Sequence, residues 1–130
     1  MPRVLIVEDE KPIRELLNDF LSDEGYDTLV ADNGQRGVDV ARAEQPDLVL
    51  MDLMLPLMDG FTAMRALKRH PETRDIPVIV MSANPVLLHI GDHLLADDQI
   101  RKPFDLDELL RVVQNRISTR LTGSGVETMP

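Results

Sequence analysis

The chain has 130 residues, 43% of them hydrophobic, which suits one compact domain with a real core and excludes a largely disordered chain. A net charge of −9 argues against a direct nucleic-acid partner, because phosphate backbones are met by basic faces. The absence of Cys excludes disulfides and thiolate chemistry, and no apolar run approaches the roughly 20 residues of a membrane span.

In chain order, "RVLIV" (3–7) reads as a short strand. "KPIRELLNDFLSDEG" follows as a helix with Ile13, Leu16, Leu17, Phe20 and Leu21 at helical spacing and Gly25 as its stop. The opening "MPRVLIVEDE" turns acidic too early for a signal peptide, so a soluble cytoplasmic protein with no membrane partner is expected. "DTLVA" (27–31) is a second strand, and 33–45 a second helix with Val38, Ala41 and Val40 inward, closed by Pro46 and Asp47. "LVLM" (48–51) is a third strand, and 60–70 a helix ended by Pro71. "IPVIVMSA" (76–83) is a fourth strand, followed by an irregular helix over 85–96 with Leu87, Leu88, Ile90, Leu94 and Leu95 as core. "DQIR" (98–101) is a short polar strand suited to a sheet edge. The chain then forms an amphipathic helix over 105–118, with Asp105 or Asp107 near its N-cap. Strands alternating with helices predict a mostly parallel α/β sheet, its third and fourth strands central because both faces are apolar. The domain is expected to span 1–121, with 122–130 a flexible tail or the start of a linker.

In such sheets ligands bind outside the carboxyl ends of the strands. Those ends carry Glu8, Asp9 and Glu10 after the first strand, Asp32 and Asn33 after the second, and Asp52 after the third. Ser82 follows the fourth and Lys102 the fifth. Asp52 stands out, because a carboxylate ending a core strand is costly to desolvate. Glu8, Asp9 and Asp52 brought together would repel one another, and a hard divalent cation would resolve the conflict. Oxygen ligands without His or Cys suit Mg²⁺. With Lys102 and the Ser82 hydroxyl they make a cradle for a phosphoryl group, and Asp52 its nucleophile. Each residue has a plainer reading as well: Asp52 as a turn former, Ser82 as a helix cap, Lys102 as a solvated lysine, and Glu8 to Glu10 as an acidic first helical turn. His70, His89 and His93 lie away from the strand ends and read as helix surface.

"VLIVEDE", "PDLVLMDLMLPLMDG", "IPVIVMSA" and "RKPF" together resemble the signature blocks of a bacterial response-regulator receiver domain, over about residues 2–120. The resemblance implies a flavodoxin-like three-layer sandwich, with a five-stranded parallel sheet of order 2-1-3-4-5 and five helices. It implies that Asp52 accepts a phosphoryl group from a sensor histidine kinase or a histidine phosphotransfer protein. The domain would then act on a downstream protein as a temporary signal, not as an enzyme. Glu8, Asp9, Asp52 and the backbone carbonyl of Met54 would hold Mg²⁺, with Mn²⁺ as its substitute. Lys102 would pair with the acceptor and then with the phosphoryl oxygens. Ser82 would be the switch hydroxyl, Ala83 would leave room for the phosphoryl group, and the bond to Pro103 would be cis. Departures lie on the output side: Gln99 stands where the family usually carries an aromatic, and Leu95-Ala96 replaces its usual Gly-Ala. They imply a readout that does not couple the hydroxyl to an aromatic ring.

Three rivals remain on the residues alone. A flavin binder would need a Gly/Ser/Thr-rich loop where Glu8-Asp9-Glu10 stands. An Asp-nucleophile phosphatase would need a second Asp at position 54, which is Met. A receiver-like interaction module working without phosphorylation would keep the fold and lose the chemistry.

Overall fold

The computed structural model describes residues 1–93 and 96–122, and side chains within them except at 91–93 and 120–122. The elements are β1 (Arg3–Val7), α1 (Lys11–Asp23), β2 (Asp27–Ala31), α2 (Gly34–Glu44), β3 (Leu48–Asp52), α3 (Gly60–Arg69), β4 (Val78–Ser82), α4 (Pro85–His93), β5 (Asp98–Arg101) and α5 (Leu106–Thr122). All strand pairs are parallel, in the order β2-β1-β3-β4-β5. This is the expected five-stranded, five-helix architecture.

The side-chain alternation of the central strands builds the three layers. Leu5 and Val7, Val49 and Met51, and Val78 and Val80 face one core with Val38 and Ala41 of α2 and with Ala63, Met64 and Leu67 of α3. Val4 and Ile6, Leu48 and Leu50, and Ile79 and Met81 face the other, with Leu17 and Leu21 of α1 and with Leu109, Val113 and Ile117 of α5. Every residue of β3 and β4 is buried, so their continuous apolar runs follow from having helices on both faces. The polar β5 and the half-exposed β2 take the edges.

Several sequence expectations shift. Leu16 and Ile90 are exposed, because each sits next to or two residues from a buried leucine (Leu17, Leu88) and so points well off the inward face of its helix. Val40 is half-buried at the rim of the α2–α3 core, and Leu94 and Leu95 lie outside the described residues. Helix α5 runs on to Thr122, beyond Ser118. The tail expected from 122 therefore has its first residue in that helix, and the rest of it lies outside the described residues. Asp105 precedes α5 and its Oδ1 accepts the Asp107 N–H at 2.8 Å, so Asp107 belongs to the first turn. Helix α2 ends at Gln45, in the left-handed region with φ 48°, before Pro46.

Candidate functional site

Strand register brings the predicted residues to one edge. Val7 pairs with Met51, Asp52 with Met81, and Ser82 with Arg101, so Glu8, Asp52, Ser82 and Lys102 emerge at neighbouring strand ends. Three backbone bonds fix those ends: Glu8 N–H to the Ala31 carbonyl (3.0 Å), Leu53 N–H to that of Met81 (3.0 Å) and Lys102 N–H to that of Ser82 (2.9 Å). The Lys102–Pro103 bond is cis.

Glu8 is fully buried, Asp52 is 5% exposed, and Asp9 is exposed at the rim. Glu8, Asp9 and Asp52 each offer an oxygen within 4.8 Å of the others. Two like unit charges about 5 Å apart repel by about 3 kcal/mol at an effective dielectric of about 20. Lys102 answers part of that repulsion: its Nζ donates to Glu8 Oε1 at 2.7 Å and to Asp52 Oδ2 at 2.9 Å. One N–H completes each carboxylate, from Glu10 to Glu8 Oε2 (3.2 Å) and from Met54 to Asp52 Oδ1 (3.0 Å).

Burial, aided by the nearby Asp52 charge, pushes the Glu8 carboxyl up to about 7 against the opposing pull of Lys102. Burial pulls the Lys102 ammonium down, but its hydrogen bonds to Glu8 and Asp52 outweigh this and leave its pKa raised. One ammonium thus serves two buried carboxylates, with Asp9 beside them. A cluster of oxygen donors with uncompensated negative charge fits Mg²⁺ better than a softer metal.

Asp9, Glu10, Asp52, Met54, Ser82, Ala83 and Lys102 line a cleft of about 260 Å³. A larger cleft of about 430 Å³, bordered by Leu88, His89, Gln99 and Arg101, lies between α4 and β5 and holds no carboxylate cluster. Two of the clustered carboxylates, Asp9 and Asp52, line the smaller one.

Three of the four plainer readings give way at particular atoms, while Asp52 does take a turn contact, its Oδ1 accepting the Met54 N–H. Helix α1 starts at Lys11 with no acidic residue in its first turn, so Glu8 to Glu10 precede the helix. Asn84, not Ser82, caps α4: its Oδ1 accepts from Val86 N–H at 2.9 Å, while Ser82 Oγ accepts the Asn84 N–H at 3.0 Å. Lys102 is held between carboxylates, not solvated. Of the histidines, His89 is exposed and His70 half-buried at the end of α3, and the side chain of His93 lies outside the described ones. Sequence reasoning missed Arg14, whose Nη1 donates to the Glu8 carbonyl (3.0 Å) and the Asp9 carbonyl (3.3 Å), tying α1 to the acidic turn. Its signal was a basic residue near the start of α1, five residues after Asp9.

A pH dependence follows. The Glu8 carboxyl is protonated more readily in the fold than in the open chain. Its contribution to stability is therefore present below about 4.5 and lost as pH rises through about 7. Melting temperatures taken in chelator should fall between about pH 5 and about pH 8, by on the order of 5 °C from this site. Saturating Mg²⁺ should reverse the fall, since a cation held there would favour the ionised cluster. Equal slopes with and without Mg²⁺ would contradict this account of the cluster.

Comparison with known proteins gives one answer. The family model described as the response regulator receiver domain matches residues 4–114. The chain is 42% identical over 119 residues to the DNA-binding dual master transcriptional regulator RpaA of Synechocystis sp., covering 88% of this chain and 48% of that protein. It thus spans about half the length of that relative. Among solved structures, it is similar to the receiver domain of a sensor histidine kinase from Pseudomonas aeruginosa, which has a magnesium ion coordinated in its active-site cleft. That match has a TM-score of 0.84 and 28% identity, and covers 90% of this chain and 98% of the other. The signal receiver domain of a histidine kinase from Syntrophus aciditrophicus matches with a TM-score of 0.84 and 34% identity, over 91% of each chain. Chemotaxis protein CheY4 of Vibrio cholerae matches with a TM-score of 0.82 and 26% identity, over 88% of this chain and 98% of the other.

Proposed function

The chain belongs to the response regulator receiver domain family, the phosphoacceptors of two-component signalling, and on that premise we propose that Asp52 is its acceptor. The observation that carries the assignment is the pairing of a nearly buried strand-end carboxylate with Lys102 at 2.9 Å, beside two further acids. The donor is a phosphohistidine of a sensor kinase or phosphotransfer protein. As an Asp52 oxygen bonds to phosphorus, the P–N bond breaks and its electron pair leaves with the imidazole.

Glu8, Asp9, Asp52 and the Met54 carbonyl would hold Mg²⁺, which when bound spreads the negative charge of the phosphoryl oxygens. Lys102 moves from carboxylates to those oxygens, and the Met54 N–H keeps the Asp52 carboxylate oriented. Ala83, at the lip of the cleft, leaves room for the new group, and the Ser82 hydroxyl turns to donate to it. That rotation gives up the Asn84 N–H contact and biases the β4–α4 turn toward its signalling arrangement. Water later cleaves the acyl phosphate, so the mark is temporary and the domain is no enzyme toward an outside substrate.

At −9 the domain itself is suited to a protein target, not DNA. We place it in the cytoplasm, and among the described residues no helix is long and apolar enough to cross a membrane. No observation favours the module that works without phosphorylation.

The test uses acetyl phosphate as donor and intact mass as readout. With Mg²⁺ the protein should gain one phosphoryl group, and in chelator much less. A chain left unmodified under both conditions would overturn the proposal.

A further inference from the structure

The β3–α3 loop, residues 53–59, carries the Met54 N–H that orients Asp52 Oδ1. Leu53 anchors the loop in the core, and Leu55 and Met58 pack against that core, but the loop's outer residues have less support. Met54 is exposed, and Leu57 is 89% exposed. Leu57 also sits at φ 67°, a left-handed conformation that costs a leucine on the order of 1 kcal/mol. Two backbone bonds shape the loop, Met58 N–H to the Pro56 carbonyl (2.7 Å) and Gly60 N–H to the Leu53 carbonyl (3.1 Å). A further support comes from another helix.

The first turn of α2, capped by Asn33 Oδ1 accepting the Arg36 N–H at 2.8 Å, lies directly on Met58. A Cβ added at Gly34 would sit 2.9 Å from the Met58 carbonyl carbon and closer still to its oxygen. The opposing atoms are main chain, so no side-chain rotation could make room. Any residue but glycine would push the loop or the helix away.

We infer that Gly34 is a positioning residue for the phosphoacceptor site: lacking a side chain, it lets α2 brace the Met58 backbone and so hold the loop whose Met54 N–H aims Asp52. The inference rests on the reading of Glu8, Asp9 and Asp52 as the metal-binding acceptor site. It adds a brace on the far side of the loop, contributed by a helix that touches neither metal nor phosphate.

The experiment compares Gly34→Ala with Val38→Ala, which opens the core under the same helix but adds no bulk against the Met58 main chain. Both should melt several degrees below the parent. Calorimetric titration with Mg²⁺ should show binding weakened about tenfold in Gly34→Ala, the scale of losing an outer support of a metal site. Val38→Ala should stay within about twofold of the parent. Amide exchange at Met54 should quicken in the first variant only. Parent-like Mg²⁺ affinity in Gly34→Ala, or equal weakening in Val38→Ala, would overturn the inference and leave the acceptor assignment standing. A parent that binds no Mg²⁺ would overturn both. Should Gly34→Ala fail to fold, Asn33→Ala removes the helix cap without adding bulk. It should quicken Met54 exchange, which Val38→Ala leaves at the parent's rate, and no quickening would count against the brace.

Discussion

Asp52→Ala should gain no phosphoryl group from acetyl phosphate, at any Mg²⁺ concentration, while keeping the parent's circular dichroism spectrum. The loss is expected to be complete because the other carboxylates cannot substitute. Glu8 is fully buried, with its oxygens engaged by Lys102 and the Glu10 N–H. Asp9 is exposed at the rim and makes no ion pair with Lys102 among the described contacts. Folding should survive, since removing one carboxylate leaves Lys102 paired one-to-one with Glu8. The cost is the stranded Met54 N–H, about 1–3 kcal/mol if no water reaches it. Intact mass after incubation checks the outcome, and an adduct on the variant would move the acceptor elsewhere.

Lys102→Met separates the lysine's two jobs. It removes the only cation bonded to the carboxylates of Glu8 and Asp52 among the described residues. Removing one partner of a buried ion pair costs about 3–5 kcal/mol, and protonation of Glu8 would absorb part of it. The melting temperature in chelator should therefore drop by roughly 10 °C at pH near 8, and by less at pH near 5. Mg²⁺ should bind more tightly than to the parent, because no ammonium competes for the carboxylates. Transfer from acetyl phosphate should nevertheless slow by about a hundredfold or more, since no positive group then follows the charge onto the phosphoryl oxygens. Unchanged transfer with the stability loss intact would confine Lys102 to holding the fold together.

The strands and the cluster were legible in the sequence for the same reason. Four- and five-residue apolar runs ending in a carboxylate, a hydroxyl or a lysine fix both the element and the edge at which its last residue emerges. Parallel pairing then places those ends side by side, as the register of Val7 with Met51 and of Asp52 with Met81 shows.

What stayed hidden depends on how elements pack. Lys102 was expected to meet Asp52, but its second partner, Glu8, is 94 residues away and is chosen by the depth of the site. Leu16 has the composition of a core residue and the angle of a surface one. The capping role passes from Ser82 to Asn84 because the turn after β4 is two residues longer than a strand-to-helix junction at Ser82 would be. The contact of Gly34 with Met58 joins the first turn of α2 to the β3–α3 loop through main-chain atoms, and no side-chain pattern records it.

The most direct test locates the phosphoryl group chemically. Borohydride reduces an acyl phosphate to an alcohol and releases phosphate, leaving a permanent mark at the modified side chain. Applied to protein phosphorylated with acetyl phosphate and Mg²⁺, then digested and mapped by mass, it should mark position 52 and no other. A mark at Glu8 or Asp9, or phosphorylated protein with no reducible acyl group, would contradict the account.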